Sequence, residues 1–234
     1  GKHVLVEKPS TISFKDTKNM IRLAEQKDLA LHENYMFMYH SQLETINEII
    51  SSGEIGEVRL YQIRFGFPKR SENDFRYVKA LGGGALIDAG GYTIKYAVKL
   101  LGHNIHVRYA QMNYIDGFEV DMYGSAAFSN DRGDVVQVAY GMDNNYKCEL
   151  EVWGSKGTLT TGRVLTAPAG FEPSIIIRKG NECEERLLPS DDTFKKSIER
   201  FIAGIQNVDT RKQNYLEIEK QAKLIDEFRE KAGR

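Results

Sequence analysis

The amino-acid sequence predicts an α+β fold: a large, mostly antiparallel sheet with helices on one face, preceded by a short βαβ unit. Three observations lead to this prediction. A strand, a helix and a second strand can be placed within the first 34 residues. Repeated strand patterns separated by turn residues run from Ile105 to about Leu188. Helical patterns precede and follow that series, an order typical of proteins whose helices cover one side of a sheet.

The βαβ unit begins with a strand over residues 3–7, which must end before Pro9 because proline cannot continue a central ladder. Ser13 is a candidate N-cap for a helix that runs to about Asp28. Residues 29–34 then supply a second strand. One strand–helix–strand unit normally belongs to a parallel sheet and does not stand alone.

The domain boundary follows from that unit. The chain starts with Gly1 rather than methionine, and its first strand has no lead-in. We therefore expect residues 1–34 to be the C-terminal tail of an incomplete, truncated dinucleotide-binding domain. Residues 35–234 are expected to form a second domain that binds substrate and mediates oligomerisation.

The elements of the second domain can be placed in order. A helix over Gln42–Ser52 ends at Gly53, and a strand covers Val58–Phe67. The glycines at 82–84 open a helix that runs to about Leu101. Examples of the repeated strand patterns are Ile105–Tyr114, Val120–Phe128, Val135–Tyr140, Cys148–Trp153 and Ile175–Arg178. The final helices are Phe194–Ile205 and Tyr215–Lys231.

Composition places the chain among ordinary globular proteins. Its 234 residues include 32 basic and 33 acidic side chains, which indicates no attraction to nucleic acid or to an anionic membrane. The apolar runs fall short of the ~18 residues that a membrane span requires. Cys148 and Cys183 have neither disulfide nor metal-binding spacing, which favours the reducing cytoplasm.

The first candidate for chemistry is Glu7-Lys8-Pro9, at the carboxyl end of the first strand. Ligands of open α/β sheets bind beyond the carboxyl ends of the strands. A lysine held there can donate to a substrate oxygen. The alternative is a surface lysine in a turn, and the tripeptide alone favours that alternative because lysine is mostly exposed.

The second candidate is Asp88 with Tyr92, four positions apart and therefore on one face of a helix. Gly90 and Gly91 between them each cost about 1 kcal/mol in helix propensity, which is easier to understand if another group approaches the backbone. A neighbouring ammonium would lower the pKa of the tyrosine. The alternative is that the glycines serve helix packing and Asp88 caps the helix or faces water; spacing does not decide between them.

Other charged and aromatic residues carry weaker signals. A basic loop before the glycine run can meet an anionic substrate or can be an ordinary solvated loop; its cations are Lys69, Arg70, Arg76 and Lys79. The segment from Trp153 to Gly157 is predicted to be a plain hairpin turn. Four histidines lack convincing metal-ligand spacing: His32, His40, His103 and His106. His103 and His106, beside a helix end, are predicted to lie on the surface. No metal site is therefore expected.

A Gly-x-Gly-x-x-Gly turn does not occur in the sequence. Gly82–Gly84 does not supply it, because Ile87 stands where the last glycine is required. Such a turn cradles the pyrophosphate of a dinucleotide at a helix N-terminus. This chain by itself therefore lacks that cradle.

Four segments together resemble the Gfo/Idh/MocA family of oxidoreductases. They are Gly1–Pro9, Ser52–Val58, the glycine run Gly82–Tyr92 with Leu100–Gly102, and Val152–Thr158. Each segment is weakly specific alone, but the four in this order are strongly specific and span essentially the whole chain. Members have an N-terminal Rossmann domain followed by a sheet-rich domain, so the resemblance implies that residues 1–34 are a Rossmann tail.

The resemblance also implies roles for individual residues. Lys8 matches the family lysine near the nicotinamide, so Glu7, Lys8 and Pro9 are the expected cofactor-binding residues. Asp88 matches a residue that orients substrate. Tyr92 stands where many members have histidine, and this departure is similar to glucose–fructose oxidoreductase, dimeric dihydrodiol dehydrogenase and the sugar-nucleotide 3-ketoreductases. Arg76, within a segment that also resembles this subgroup, is a candidate substrate-binding residue.

The activity implied is hydride transfer between NAD or NADP and a sugar, sugar nucleotide or related polyol, with Lys8, Asp88 and Tyr92 as catalytic residues. The complete protein would be an NAD(P)-dependent oxidoreductase acting on CH–OH groups, and this chain alone would be inactive. The alternative is a non-catalytic ligand-binding or dimerisation module derived from the family. The expected partners are a sugar-like substrate and further copies of the chain, as a homodimer or homotetramer formed through the sheet.

Overall fold

The computed structural model describes residues 1–233, which form five α-helices and two β-sheets. The helices are α1 (Phe14–Gln26), α2 (Gln42–Ser51), α3 (Gly91–Leu101), α4 (Thr193–Gln206) and α5 (Val208–Lys231). The strands are β1 (Val4–Val6), β2 (Leu31–Glu33), β3 (Val58–Gly66), β4 (His106–Asn113), β5 (Tyr123–Ser129), β6 (Val135–Gly141), β7 (Lys147–Gly154), β8 (Thr158–Gly162), β9 (Ser174–Lys179) and β10 (Glu182–Leu187). The predicted fold class is confirmed.

The small sheet contains the predicted βαβ unit. β1 pairs with β2 in parallel, and α1 connects them. Ser13 caps α1 as expected, since its side chain accepts a hydrogen bond from the backbone N–H of Asp16 at 3.1 Å. The apolar side of α1 packs against α5, where Ile21 contacts the cluster that includes Ile218. The unit is thereby fastened to the C-terminal helix.

The large sheet has eight strands in the order β10-β9-β8-β7-β3-β6-β5-β4. Every neighbouring pair is antiparallel except β3 and β6, which run parallel. Side chains alternate along each strand, so that in β7 Leu150 and Val152 are buried while Glu149 and Trp153 point away from the core. The buried face packs against α3 and α5.

The structure differs from the sequence-based prediction in several elements. The strand expected from Val120 starts at Tyr123, because Asp121 is engaged with the start of a helix. The last helix begins at Val208 rather than Tyr215. β10 was not among the predicted strands; nearly all its side chains are exposed at the sheet edge, so it has no apolar alternation to recognise.

The helix expected to open at the glycine run is also irregular. Residues Leu86–Gly90 form a π-helical turn that continues into α3. No helix within residues 1–233 combines the length and the apolar character needed to cross a membrane.

No helix of the described residues 1–233 covers the outward face of the large sheet. Trp153 is 57% exposed near its centre and Tyr109 is exposed nearer the β4 edge. Met122 and Tyr140, from the same strand-rich region, are buried in the core instead. The outward face therefore carries a few aromatic residues among polar ones.

We predict self-association through this outward face, measured by light scattering. Replacing Trp153 by Lys should weaken it by about 2 kcal/mol or more, because a central aromatic side chain would be replaced by a charge. The matched control is Leu216→Lys, which alters an exposed apolar residue of α5 instead. A wild-type chain that stays monomeric at high concentration would contradict the prediction.

Candidate active site

Lys8 projects from the turn that follows β1, and two residues at the end of β2 hold that turn. The Glu33 carboxylate accepts a hydrogen bond from the backbone N–H of Ser10 at 2.8 Å. The Asn34 amide donates to the Glu7 carboxylate at 2.8 Å. Both bonds flank Lys8, so the carboxyl end of the small sheet fixes where its side chain starts.

Asp88 lies in the π-helical turn before α3, and Asp121 anchors the start of that turn. The backbone N–H of Leu86 donates to the Asp121 carboxylate, and that of Ala85 donates to the Asp121 carbonyl, each at 2.8 Å. Gly84 has φ +127°, and a Cβ there would lie 2.5 Å from the Asp121 carboxylate. Glycine is therefore required for the cap to close on the helix.

The Asp88 carboxylate is shared between two cations. One oxygen lies 2.7 Å from Nζ of Lys8, and the other lies 2.7 Å from Nε of Arg76. Lys8 also donates to the Asp88 carbonyl at 3.0 Å, and Arg76 reaches the Asp74 carboxylate at 3.0 Å. Burial raises the pKa of Asp88, but the Lys8 ammonium and Arg76 guanidinium outweigh it and hold that pKa below its ordinary value.

Tyr92 lies beneath the Lys8 ammonium, which stands 4.6 Å from the centre of the phenol ring. The ring packs against Tyr35, Phe37 and Phe65. Burial raises the pKa of Tyr92, and the Asp88 carboxylate raises it further. The expected net lowering of this pKa by an ammonium is therefore wrong for this structure, because burial and the Asp88 carboxylate prevail, and Tyr92 is a protonated phenol at neutral pH.

The structure brings Lys8, Arg76, Asp88 and Tyr92 into one cluster. The alternatives that made Asp88 a helix cap or a solvent-facing residue are wrong, since its side chain is 16% exposed and bound by two cations. Arg76 is likewise not part of an ordinary solvated loop. Glu7 lies on the same turn but bonds to Asn34 rather than to the cluster.

The other sequence candidates lie outside this cluster. Gly154 and Gly157 are joined by a backbone hydrogen bond of 2.8 Å in the turn between β7 and β8. Lys69 and Arg70 stack on phenylalanine rings. Lys79 lines a cavity of about 660 Å³ beside the glycine run, which also contacts Asp121 but none of the four clustered residues.

The predicted surface position of His103 and His106 is confirmed. His32 and His40 are buried. His32 is hydrogen-bonded to Ser197 at 3.0 Å, and burial together with Lys95 lowers the pKa of His32 to about 4, so it is neutral at physiological pH. Within residues 1–233 no group of three or more histidine, cysteine or acidic side chains is arranged to hold a metal ion.

Sequence reasoning missed the residues that support the cluster. Glu33 and Asn34 follow a predicted strand at its carboxyl end, and that position was the available signal. Asp74 lies two residues before Arg76 in the same loop. Asp121 gave no local signal, because its partner Leu86 is 35 positions away in the sequence.

The fold and the site together describe one class of α+β protein. In this class a lysine after the first strand of a parallel βαβ unit lies beside a helix that carries an aspartate and a tyrosine. The chain belongs to the GFO/IDH/MocA family, since residues 43–160 match the model of the family's C-terminal domain. This agrees with the family resemblance of the four sequence segments.

Similar proteins include two that are named dTDP-3,4-didehydro-2,6-dideoxy-alpha-D-glucose 3-reductase. The one from Saccharopolyspora spinosa is 36% identical over 88% of this chain and 62% of its own length. The one from Streptomyces violaceoruber is 34% identical over 99% of this chain and 70% of its own length. The chain thus spans between six and seven tenths of these relatives.

Solved structures show the same fold. A 3-ketoreductase from Actinomadura kijaniata, in complex with NADP and TDP-benzene, superimposes with a TM-score of 0.94 at 33% identity, covering 98% of this chain and 71% of that one. An aldose-aldose oxidoreductase from Caulobacter crescentus has a TM-score of 0.83 at 20% identity, which supports the fold alone.

The Asp121 cap predicts a pH dependence of stability. Burial raises the pKa of Asp121 to about 6 from its ordinary 3.8, so the folded chain binds this proton more tightly than the unfolded chain. The contribution of Asp121 to the free energy of unfolding should be most favourable below pH 4 and should fall as the pH rises to about 6. Asp121→Asn keeps an acceptor for Leu86, and should flatten this fall and stabilise the chain at pH 7 by about 2–3 kcal/mol.

Urea unfolding at pH values from 4 to 8 measures this effect. Asp116→Asn changes an exposed carboxylate of the preceding loop and serves as the matched control. An unaltered pH profile in Asp121→Asn would show that the ionisation of Asp121 does not control stability.

Proposed function

We propose that the protein containing this chain is an NADP-dependent oxidoreductase that reduces a keto group of a nucleotide-linked sugar. The observation that carries the proposal is the convergence of Lys8, Asp88 and Tyr92 from separate parts of the chain. Lys8 follows the parallel unit, whereas Asp88 and Tyr92 lie on the helix that packs on the large sheet. An ammonium and a protonated phenol side by side are suited to protonating an oxygen that gains negative charge.

The relatives support the choice of substrate and cofactor. Those from Saccharopolyspora and Streptomyces are named as 3-reductases of a dTDP-linked keto sugar. Solved structures of the Actinomadura reductase include a tyrosine-to-phenylalanine and a lysine-to-alanine variant, whose substituted positions are 84 apart in its sequence. Lys8 and Tyr92 have the same separation of 84 positions.

The residues of this chain fit one end of a nicotinamide dinucleotide. Lys8 and Pro9 lie at the carboxyl end of a parallel sheet, where such ligands bind. Within residues 1–233 β1 pairs with β2 alone, and Val4 is 44% exposed, so further strands can extend the sheet there. A pyrophosphate cradle is not encoded in the chain, so residues 1–34 are proposed as the tail of a dinucleotide-binding domain and 35–234 as the substrate and oligomerisation domain.

Proton transfer to the substrate is assigned to Tyr92. A nicotinamide dinucleotide held beside Lys8 and Pro9 would supply hydride to the carbonyl carbon. The Tyr92 hydroxyl donates its proton to the carbonyl oxygen, which completes a secondary alcohol and leaves a phenolate. The Lys8 ammonium above the ring stabilises that phenolate electrostatically, and Asp88 holds Lys8 in place.

The alternative hypothesis is that the protein is a ligand-binding or dimerisation module without catalytic activity. The uncovered sheet face favours association in either case. The retention of Lys8, Asp88 and Tyr92 with short, part-buried contacts favours the enzyme, because a module under no catalytic constraint has no need of them together.

Tyr92→Phe in the complete protein is predicted to slow the chemical step by about 100-fold or more, because the proton donor is removed. NADPH affinity should stay within about twofold, since Tyr92 does not lie on the βαβ unit. Single-turnover reduction of a dTDP-linked keto sugar and NADPH fluorescence titration measure the two quantities.

Tyr96→Phe is the matched control. Tyr96 lies one turn further along α3, and its buried hydroxyl has no hydrogen-bond partner within the described part of the chain. That variant should keep the wild-type rate. An unaltered rate in Tyr92→Phe would move the proton transfer to another group, and a wild-type protein without reductase activity on any nucleotide sugar would favour the non-catalytic module.

A further inference from the structure

We propose that Arg76 is a positioning residue that fixes Asp88, and through it the Lys8 ammonium above Tyr92, rather than a residue that binds the substrate. The kinetic consequences of this inference depend on the proposed function. It goes beyond that function by assigning a role to a side chain that touches none of the groups undergoing reaction.

Arg76 holds the start of the Asp88 helix in two ways. Its side chain donates from Nε to Asp88 at 2.7 Å. Its backbone carbonyl accepts from the N–H of Gly84 at 2.9 Å, and a Cβ on Gly83 would lie 2.3 Å from that carbonyl oxygen. The close approach is possible only beside glycine, so the glycine run and Arg76 form one connected unit.

The charge of Arg76 is already balanced. Its guanidinium meets the carboxylates of Asp74 and Asp88, and its plane lies over the ring of Phe75 at 4.6 Å. With Lys8 on the other oxygen of Asp88, two cations face two anions. The cluster therefore has no excess positive charge with which to attract a pyrophosphate.

The groups that face Asp88 determine its ionisation. Lys8 approaches from the turn after β1, Arg76 from the loop before the glycine run, and Tyr92 and Tyr35 from the aromatic side. Burial favours the protonated form of Asp88, and both cations oppose it. Without Arg76, Lys8 alone would oppose burial, so protonation of Asp88 would begin at a higher pH and would remove the carboxylate charge that holds Lys8.

The kinetic test compares Arg76→Gln, Arg76→Lys and wild type in the complete protein, with the pH dependence of kcat and the KM for a dTDP-linked keto sugar. Arg76→Gln should lower kcat by about 10- to 100-fold, because misplacement of a catalytic group slows reactions by factors of this size. It should also move the acidic limb of the pH profile of kcat to higher pH, because Asp88 loses one of its two cations. KM should change by less than about threefold. Arg76→Lys, which keeps a cation, should restore part of kcat and part of the profile.

The control is Arg132→Gln, which removes an exposed arginine paired with Asp134 at 2.9 Å in the turn between β5 and β6. It should match wild type in kcat, KM and pH profile. Thermal unfolding of each variant separates altered positioning from loss of folded protein, and Arg76→Lys provides the folded comparison if Arg76→Gln unfolds.

A readout independent of activity is the carbon-13 NMR titration of the Asp88 carboxyl in the wild-type chain and in Arg76→Lys and Arg76→Gln. An upward displacement of its midpoint in Arg76→Gln supports the proposal even if the wild-type protein reduces no nucleotide sugar, a result that would refute only the proposed function. A large rise in KM with unaltered kcat and pH profile would overturn the proposal and make Arg76 a substrate-binding residue. An unmoved Asp88 titration would overturn it as well.

Discussion

The ion pair between Lys8 and Asp88 is the interaction on which the rest of the site depends. It joins two residues 80 positions apart, one on the βαβ unit and one on the helix of the large sheet, and both side chains are largely buried. Breaking one partner of a buried pair leaves an uncompensated charge, which typically costs about 3–5 kcal/mol. The same contact therefore supports both the docking of the two parts and the placement of the ammonium over Tyr92.

The irregular start of the α3 helix follows from the need to deliver Asp88 to that pair. The segment before it is held by Arg76 from one side and by Asp121 from the other. Gly83 and Gly84 are needed because a Cβ at either position would collide with those partners. The glycines thus serve close approach of the backbone to side chains and carbonyls that come from elsewhere in the chain.

Much of this arrangement could be predicted from the sequence, because its signals are local. The proline after the first strand, Ser13 at its helix, and alternation in strands such as β7 are properties of neighbouring residues. The family resemblance assigned Lys8, Asp88 and Tyr92 to one site, but it did not predict the ion pair between Lys8 and Asp88. The burial of His32, the cap by Asp121 and the elevated pKa of Tyr92 could not be predicted, since each depends on groups distant in sequence.

The position of β3 has a consequence for how the chain reaches its folded state. The strands β4–β6 form one meander and β7–β10 another, each built from neighbours in sequence, and β3 lies between them with Tyr61 opposite both Val136 and Val152. The link from β6 to β7 passes the end of β3, where the N–H of Asn144 donates to the Phe67 carbonyl at 3.1 Å. Each meander can form through short loop closures, whereas inserting β3 closes much longer ones. We therefore expect the joining of the two meanders by β3 to limit the folding rate, so that nascent chains expose two unpaired strand edges until that step is complete.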